Sequence, residues 1–406
     1  MNPTSLSPTT DAGRIVSLDV LRGFAVLGIL IMNIQSLSMI GAAYLNPMAY
    51  GDMTGINKWV WILSHVLADS KFMAIFSMLF GAGVVLFSER AVSKGRRAGP
   101  LHYRRMFWLL VFGMVHAWCI WYGDILVAYA LCGMLAFLFR KKSVKTLFIW
   151  SGSLLMVPFI LYMLTGWSMA FWPPESLEGA MKSWLPNAEQ IQNELNLMRG
   201  NWMEQLQIRG GMAFFMQTFL FLYFMVWRVL GMMLLGMALY KFGVFSLQRS
   251  NKFYLRMLMI GLITGAFLVI LGVFQNYKHN FAIEYSMYYG SMFNYWGSIG
   301  MALAYIAVIM ITCKHGILQW LQNLLAATGR MAFTNYILMS LFGFFIFTGS
   351  GLGYFGMVSR WQQILIMLAI WIFILAFSKL WLMRFRFGPL EWLWRVLVYW
   401  KFFPIR

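Results

Sequence analysis

Residues Ser17 to Asn33 read SLDVLRGFAVLGILIMN, an apolar run with an acid and an arginine near its start, Asp19 and Arg22, and an amide at its far end. A charged side chain costs ~2.5–3.5 kcal/mol at the centre of a membrane helix even on the mildest scale, so charges in such a run call for a use. At 100° per residue, the step from Arg22 to Asn33 is about three turns plus ~20° and a rise of ~16 Å, which puts both side chains on one stripe. Asp19, three residues before Arg22, shares that stripe and can pair with it. The segment predicts a first transmembrane helix carrying a polar track.

The rest of the chain has the same character. Of its 406 residues, 61% are hydrophobic and only 11% charged, and the mean hydropathy is +0.69, which excludes a water-soluble globule. Nineteen Trp and eighteen Tyr suit the two interfacial belts, and 36 Gly suit close helix packing in lipid. The formal net charge of +19 falls in short basic clusters between apolar segments, a topology signal that argues against nucleic acid as a partner. Cys119, Cys132 and Cys313 lie in or beside apolar segments without metal-site spacing and read as packing residues. The polar stretch before Ile15 is followed by a long apolar segment with no small-residue cleavage site, so the first helix is expected to stay as an anchor.

At about 20 apolar residues per crossing, ten helices are expected, at roughly 15–42, 59–87, 106–122, 124–139, 146–166, 212–240, 255–277, 288–312, 331–350 and 361–383. The fold class is therefore all-α, a polytopic integral membrane helical bundle. The basic clusters on alternate connections place the N and C termini in the cytoplasm. Three regions follow: a transmembrane half over 1–166, an extracytoplasmic amphipathic loop over 167–211 that reads as a lid or an interfacial linker, and a second transmembrane half over 212–406. Pro389, the Glu391–Arg395 spacing and an apolar face of Leu390, Leu393, Trp394 and Leu397 predict an in-plane C-terminal amphipathic helix.

Ionisable residues inside apolar spans are the functional candidates. His65 and Asp69 stand at i and i+4 on one helix face. His116 precedes an outer hairpin, Tyr122-Gly123-Asp124, in which Gly123 is expected to permit a tight reversal and Asp124 to cap the next helix. With Asn33 these residues are expected to form one outer-half cluster. Arg228 lies within the sixth span and needs a carboxylate, carbonyls, water or a phosphate as partner, and Arg330 opens the ninth. No nucleotide fingerprint, internal repeat or metal-ligand cluster is present in the sequence.

LDVLRG followed by an apolar run resembles the first helix of the transmembrane acyltransferase superfamily, in which the Arg is followed eleven residues later by His. Here that position is Asn33, which makes the segment more similar to the heparan-glucosaminide acetyltransferase branch, whose first helix carries Asn. HAWCIWYGDILVAYAL, GRMAFTNYILMS, FTGSGLGYFG and RFRFGPLEWLWRVLVYWKFFPIR resemble the YeiB family of bacterial membrane proteins along nearly the full length. These resemblances imply a protein of the bacterial inner membrane. They also imply transfer of an acyl group from cytoplasmic acyl-CoA, acetyl-CoA first among donors, to a hydroxyl or amine on the extracytoplasmic side.

That chemistry needs a base, an oxyanion donor and cations for the CoA phosphates. Under the resemblance, Arg22, Arg228 and Arg330 hold the phosphates and Asn33 polarises the thioester or orients the acceptor. His65 or His116, oriented by Asp69 or Asp124, supplies the base. No metal is implied. Membrane lipids and a small-molecule, glycan or lipid acceptor are the partners, with a homo-oligomer left open. The competing reading is a transporter or lipid-handling protein that uses the same polar track without covalent chemistry.

Overall fold

The computed structural model describes residues 15–406; the polar stretch 1–14, expected to precede an uncleaved first helix, lies outside the described residues. In chain order the helices are α1 (Val16–Ser38), α2 (Ala42–Leu45), α3 (Gly55–Leu67), α4 (Lys71–Ser93), α5 (Ala98–Cys119), α6 (Leu126–Ala136), α7 (Val144–Ser168), α8 (Pro174–Trp184), α9 (Ala188–Arg199), α10 (Trp202–Gln217), α11 (Val226–Lys241), α12 (Asn251–Lys278), α13 (Ile283–Tyr285), α14 (Ser291–His315), α15 (Gln319–Arg330), α16 (Ala332–Phe347), α17 (Arg360–Arg384) and α18 (Pro389–Tyr399). No strand occurs among the described residues.

Local sequence explains many of the starts. Ser143 and Ser250 accept the Thr146 and Phe253 amides at the heads of α7 and α12. Asn187 with Gln190, Asn201 with Glu204 and Ser359 with Gln362 form capping boxes for α9, α10 and α17. Pro174 and Pro389 occupy first turns, where a missing N–H costs nothing.

Among the described residues, seven segments are long and apolar enough to cross a membrane: Val16–Ser38, Gly55–Ser93, Val144–Phe171, Trp202–Lys241, Asn251–Lys278, Ile283–His315 and Arg360–Arg384. Gln319–Arg330 and Ala332–Phe347, bent by 83°, make an eighth if taken as one broken span. The ten crossings expected from the sequence are thus seven or eight by this measure. The difference lies in the α5–α6 hairpin: α5 carries His102, Arg104 and Arg105 in its first two turns, and α6 has 11 residues, a rise of ~16 Å against a hydrocarbon core of ~30 Å.

Glycines set the closest crossings. Gly81 and Gly236 leave no room for a Cβ against the Met233 and Met78 carbonyls, which brings α4 and α11 into backbone contact. Gly23 and Gly329 do the same for α1 and α15, so residues from the two halves of the chain build one core. Gly123, by contrast, is absent from the positive-φ positions. The Trp121 ring lies over it, where a Cβ would collide, so it serves packing and not the reversal.

The segment between α7 and α11 is helical and docked. Trp184 Nε1 donates to the Phe281 carbonyl and Asn46 Nδ2 to the Trp184 carbonyl. Glu194 Oε1 accepts from the Gly41 amide at 2.8 Å, and Arg199 Nε donates to the Phe355 carbonyl at 2.7 Å. α8 to α10 therefore cover the loops that follow α1, α12 and α16. At the other end of the bundle α18 docks through Leu390 and Trp394, which pack against the core. Its Glu391 Oε1 accepts from the Phe333 and Thr334 amides at 2.8 and 3.1 Å, and Oε2 from the Thr334 hydroxyl. One carboxylate of α18 thus caps the N-terminus of α16.

Two predictions follow from these contacts. Replacing Glu391 by Ala removes a helix cap worth about 1–2 kcal/mol, so E391A should melt lower than wild type and be cut faster by trypsin around Arg384 and Arg386; an unchanged melt would show that the aromatic contacts alone hold α18. Burial pushes the Glu194 carboxyl above its ordinary range against the opposing pull of the Gly41 N–H. Its contribution is complete below the ordinary carboxyl value of ~4.3 and is lost as pH rises through the raised one. E194Q should therefore match wild type in melting temperature near pH 4.5 and become progressively the more stable of the two toward pH 8. A pH-independent difference would contradict the assignment.

Candidate functional site

A cavity of about 420 Å³ opens among the ends of α1, α4, α5 and α15, with α18 as one wall. Seven basic residues line it, Arg22, Arg90, Lys94, Arg96, Arg105, Arg330 and Arg395, against the two acids Asp19 and Glu391. Arg22 Nη1 pairs with Asp19 Oδ1 at 2.8 Å, as the three-residue spacing predicts. The Arg105 guanidinium lies between the Phe87 and Trp394 rings, 5.3 and 4.7 Å from their centroids. Like-charged side chains crowded around one concavity, with aromatic faces beside them, suit a polyanion that carries a flat ring.

The cavity reaches past Leu109 to Ile125, Leu126, Tyr129 and Tyr336. Ile125 follows Asp124 directly, and the Tyr336 ring packs on the His116 ring with centroids 5.1 Å apart. His116 is eleven residues beyond Arg105 on α5, a rise of ~16 Å, so it stands at the far end from the basic residues. His116 Nδ1 meets Asp124 Oδ1 at 2.8 Å, and both side chains are 1% exposed. A carboxylate can only accept, so Nδ1 carries the proton and Nε2 is the basic nitrogen. That Nε2 is buried and has no hydrogen-bond partner among the described residues.

Asp124 has a second task. Its Oδ2 accepts the Val127 amide at 2.8 Å in the first turn of α6. Gly113 lets α5 and α6 come together here, because a Cβ would strike the Val127 backbone. Asp124 thus caps α6 through one oxygen, as its position after the hairpin predicts, and contacts the His116 ring through the other. The Tyr336 hydroxyl accepts from the Ile125 amide at 3.3 Å, which leaves its own proton to donate. Tyr336 lies in the quoted stretch FTNY, but nothing in its spacing from other residues marks it, and it is the site residue that sequence reasoning misses.

The remaining candidates lie elsewhere. His65 and Asp69 pair at 3.0 Å, yet neither lines the cavity. Arg228 is also outside it, 1% exposed in the bundle with its Nη2 on Ser298 Oγ at 2.7 Å. Asn33 is half-buried and not part of the cavity wall. One turn beyond it, Ser36 reaches the Tyr122 hydroxyl at 3.4 Å. The single cluster expected from the sequence is thus two: His116–Asp124–Tyr336 beside the basic cavity, and His65–Asp69 with its neighbours at the α3–α4 break. Of the three expected phosphate-binding cations, Arg22 and Arg330 line the cavity and Arg228 does not.

The comparisons with known proteins agree with the resemblance to the YeiB family. A family model described as "Protein of unknown function (DUF418)" matches residues 239–401. The chain is 34% identical over 426 residues to the uncharacterized protein YxaH of Bacillus subtilis (strain 168), covering 99% of this chain and 98% of that one. It is 31% identical over 399 residues to the uncharacterized protein YeiB of Escherichia coli (strain K12), covering 95% and 96%. An uncharacterized 39.9 kDa protein in the amylase 3' region of Bacillus acidopullulyticus is 28% identical over 393 residues, covering 97% and 96%.

Proposed function

The chain belongs to the family of YeiB and YxaH, and on that premise we propose that it is a membrane acyltransferase in which His116 is the general base and the basic cavity receives acyl-CoA. The observation that carries this reading is the buried His116–Asp124 pair with its unpartnered Nε2 beside a cavity lined by seven cations. The phosphates of the donor meet Arg22, Arg330 and their neighbours, and the adenine stacks beside the Arg105 guanidinium that the Phe87 and Trp394 rings hold. The pantetheine arm runs inward past Leu109 toward Tyr336. We take the basic end as cytoplasmic from its excess of Lys and Arg; with the bent α15–α16 pair taken as one span, the even crossing count puts both termini there.

In this scheme the acceptor hydroxyl or amine gives its proton to His116 Nε2 as its oxygen or nitrogen bonds to the thioester carbon. Asp124 steadies the imidazolium that forms. The Tyr336 hydroxyl donates to the carbonyl oxygen as charge builds there. The C–S bond breaks, and the departing thiolate takes the proton back from His116, so the base is restored. Asn33 has no part in these steps, and His65 and Asp69 belong to a separate cluster. That cluster is what the transport reading draws on, since paired intramembrane charges also mark substrate pathways.

The test is turnover of acetyl-CoA and longer acyl-CoAs by purified full-length protein, followed as thiol release with amine and hydroxyl acceptors. H116Q should lower kcat by about 10²–10⁴, the usual worth of a general base, with folded yield unchanged. Y336F should lower kcat less. R22Q and R330Q should raise KM for the donor, and the effect should shrink with added salt. H65Q should leave both constants near wild type. Loss of activity in H65Q with H116Q fully active would reverse the assignment of the base, and absence of both acyl-CoA binding and turnover would remove the enzyme reading.

A further inference from the structure

At the junction of α3 and α4, outside the basic cavity, lies a second set of ionisable residues that the acyl-transfer scheme does not use. The chain breaks there at Ala68 to Ser70, and Ser70 holds a left-handed φ of 65°. Lys71, 0% exposed, donates from Nζ to the His65 carbonyl at 2.7 Å and to Asn294 Oδ1 at 2.5 Å. Asn294 Nδ2 donates to Asp69 Oδ2 at 2.9 Å, the same oxygen that faces His65 Nδ1. One turn along α14, Ser298 Oγ accepts from Arg228 Nη2, and the guanidinium lies 4.3 Å from the Tyr295 ring centroid. Arg228 is within electrostatic range of both Lys71 and Asp69.

The charges do not cancel. Two cations, each at most 1% exposed, share one carboxylate, which leaves a surplus of one positive charge even with His65 neutral. The N-terminus of the 23-residue α4 begins at Lys71 and adds potential of the same sign. Arg228 Nη1 is buried and makes no well-formed hydrogen bond among the described residues, with the Tyr295 ring and hydroxyl against the guanidinium, and a buried charged donor so weakly matched is costly.

We propose that this break is a binding site for a small carboxylate. A single surplus charge calls for a monoanion. Nη1 supplies one donor, and the third Lys71 proton supplies another. A dianion would overshoot the surplus and carry a larger desolvation cost. His65 and Asp69, with side chains 17% and 19% exposed, form the accessible edge. α4 is ~33 Å long by its residue count, so the carboxylate enters from the face opposite the basic cavity. The inference stands apart from acyl transfer, because none of Lys71, Asp69, Asn294 or Arg228 lines that cavity.

The experiment is a melting titration of full-length protein in detergent with sodium acetate and sodium benzoate, against sodium chloride and sodium sulfate at equal ionic strength. Wild type should show a saturable rise with at least one carboxylate and none with chloride or sulfate. S298D places a carboxylate opposite Arg228 and cancels the surplus from within. It should melt at or above wild type without added salt of an organic acid, and its apparent carboxylate affinity should fall about tenfold or more, a loss of roughly 1.4 kcal/mol. R228Q removes the surplus by subtraction and should lose the response in the same way, which decides the matter if S298D does not fold. Absence of a carboxylate-specific rise in wild type, or an undiminished rise in either variant that folds, would overturn the proposal; a rise with sulfate in place of carboxylate would overturn the choice of ligand.

Discussion

Two helices of this bundle begin inside it. α6 starts at Leu126 and α16 at Ala332, both against the cavity wall, and the first amides of a helix have no partner within the helix itself. In lipid or in a packed core such groups cannot be left bare. Asp124 answers for α6 through the Val127 amide, and Glu391 answers for α16 through the Phe333 and Thr334 amides. Each acid does more than cap. The other oxygen of Asp124 holds His116, and Glu391 anchors the terminal helix that walls the cavity. The cavity exists because these two helices stop short, and the groups needed to let them stop short are the groups that furnish it.

This dependence explains which parts of the molecule can be read from sequence. Hydropathy reports the transfer of a segment out of water, so the long apolar helices, the polar start of α1 and the amphipathic α18 were legible. The Asp19–Arg22 and His65–Asp69 pairs were legible too, because spacings of three and four residues close within one helix. His116 and Asp124 are eight residues apart across a turn, and only the packing at Gly113 makes them neighbours. Hydropathy does not report where a helix begins or how it is tilted. The short 124–139 segment therefore still counts as a crossing in the sequence, and the 83° bend between α15 and α16 is not visible in the 331–350 span. Arg228 could have turned toward the cavity or toward α14, and Ser298, an unremarkable serine in sequence, settles it. Tyr336 owes its place to the bend that sets α16 beside α6.

α4 separates the two clusters and also ties them together. Phe76 lines the basic cavity, and Lys71 sits five residues earlier at the α3–α4 break, a rise of ~7.5 Å along the axis. Between them the Tyr129 hydroxyl reaches the Met73 carbonyl at 3.2 Å and Ser77 at 2.9 Å, and the Phe76 and Tyr129 rings stack. Little more than one helical turn with its aromatic partners thus divides the strongly positive cavity from the buried charges at the α3–α4 break. The stacked Phe76 and Tyr129 rings keep the two groups of charges distinct while leaving them close.

A transfer reaction across a membrane needs that geometry. Its donor is a polyanion too large and too charged to cross, so the donor must be held at one face and only the acyl group carried inward. The cations that hold it should then lie at helix ends, where water still reaches them, and the base should lie deeper, where a dry setting strengthens its contact with an orienting carboxylate. The basic residues of the cavity occupy the ends of α1, α4 and α15, and the 1% exposed His116–Asp124 pair lies about three helical turns further in. A transporter asks for something different, a site that exchanges its opening between two faces, commonly built on paired broken helices in corresponding halves. Here the break between α3 and α4 is served by an unbroken α14, and the bent α15–α16 pair lines the basic cavity. The basic cavity and the α3–α4 cluster therefore differ in burial, charge and construction, which fits the proposed transfer better than one ligand passed between equivalent openings.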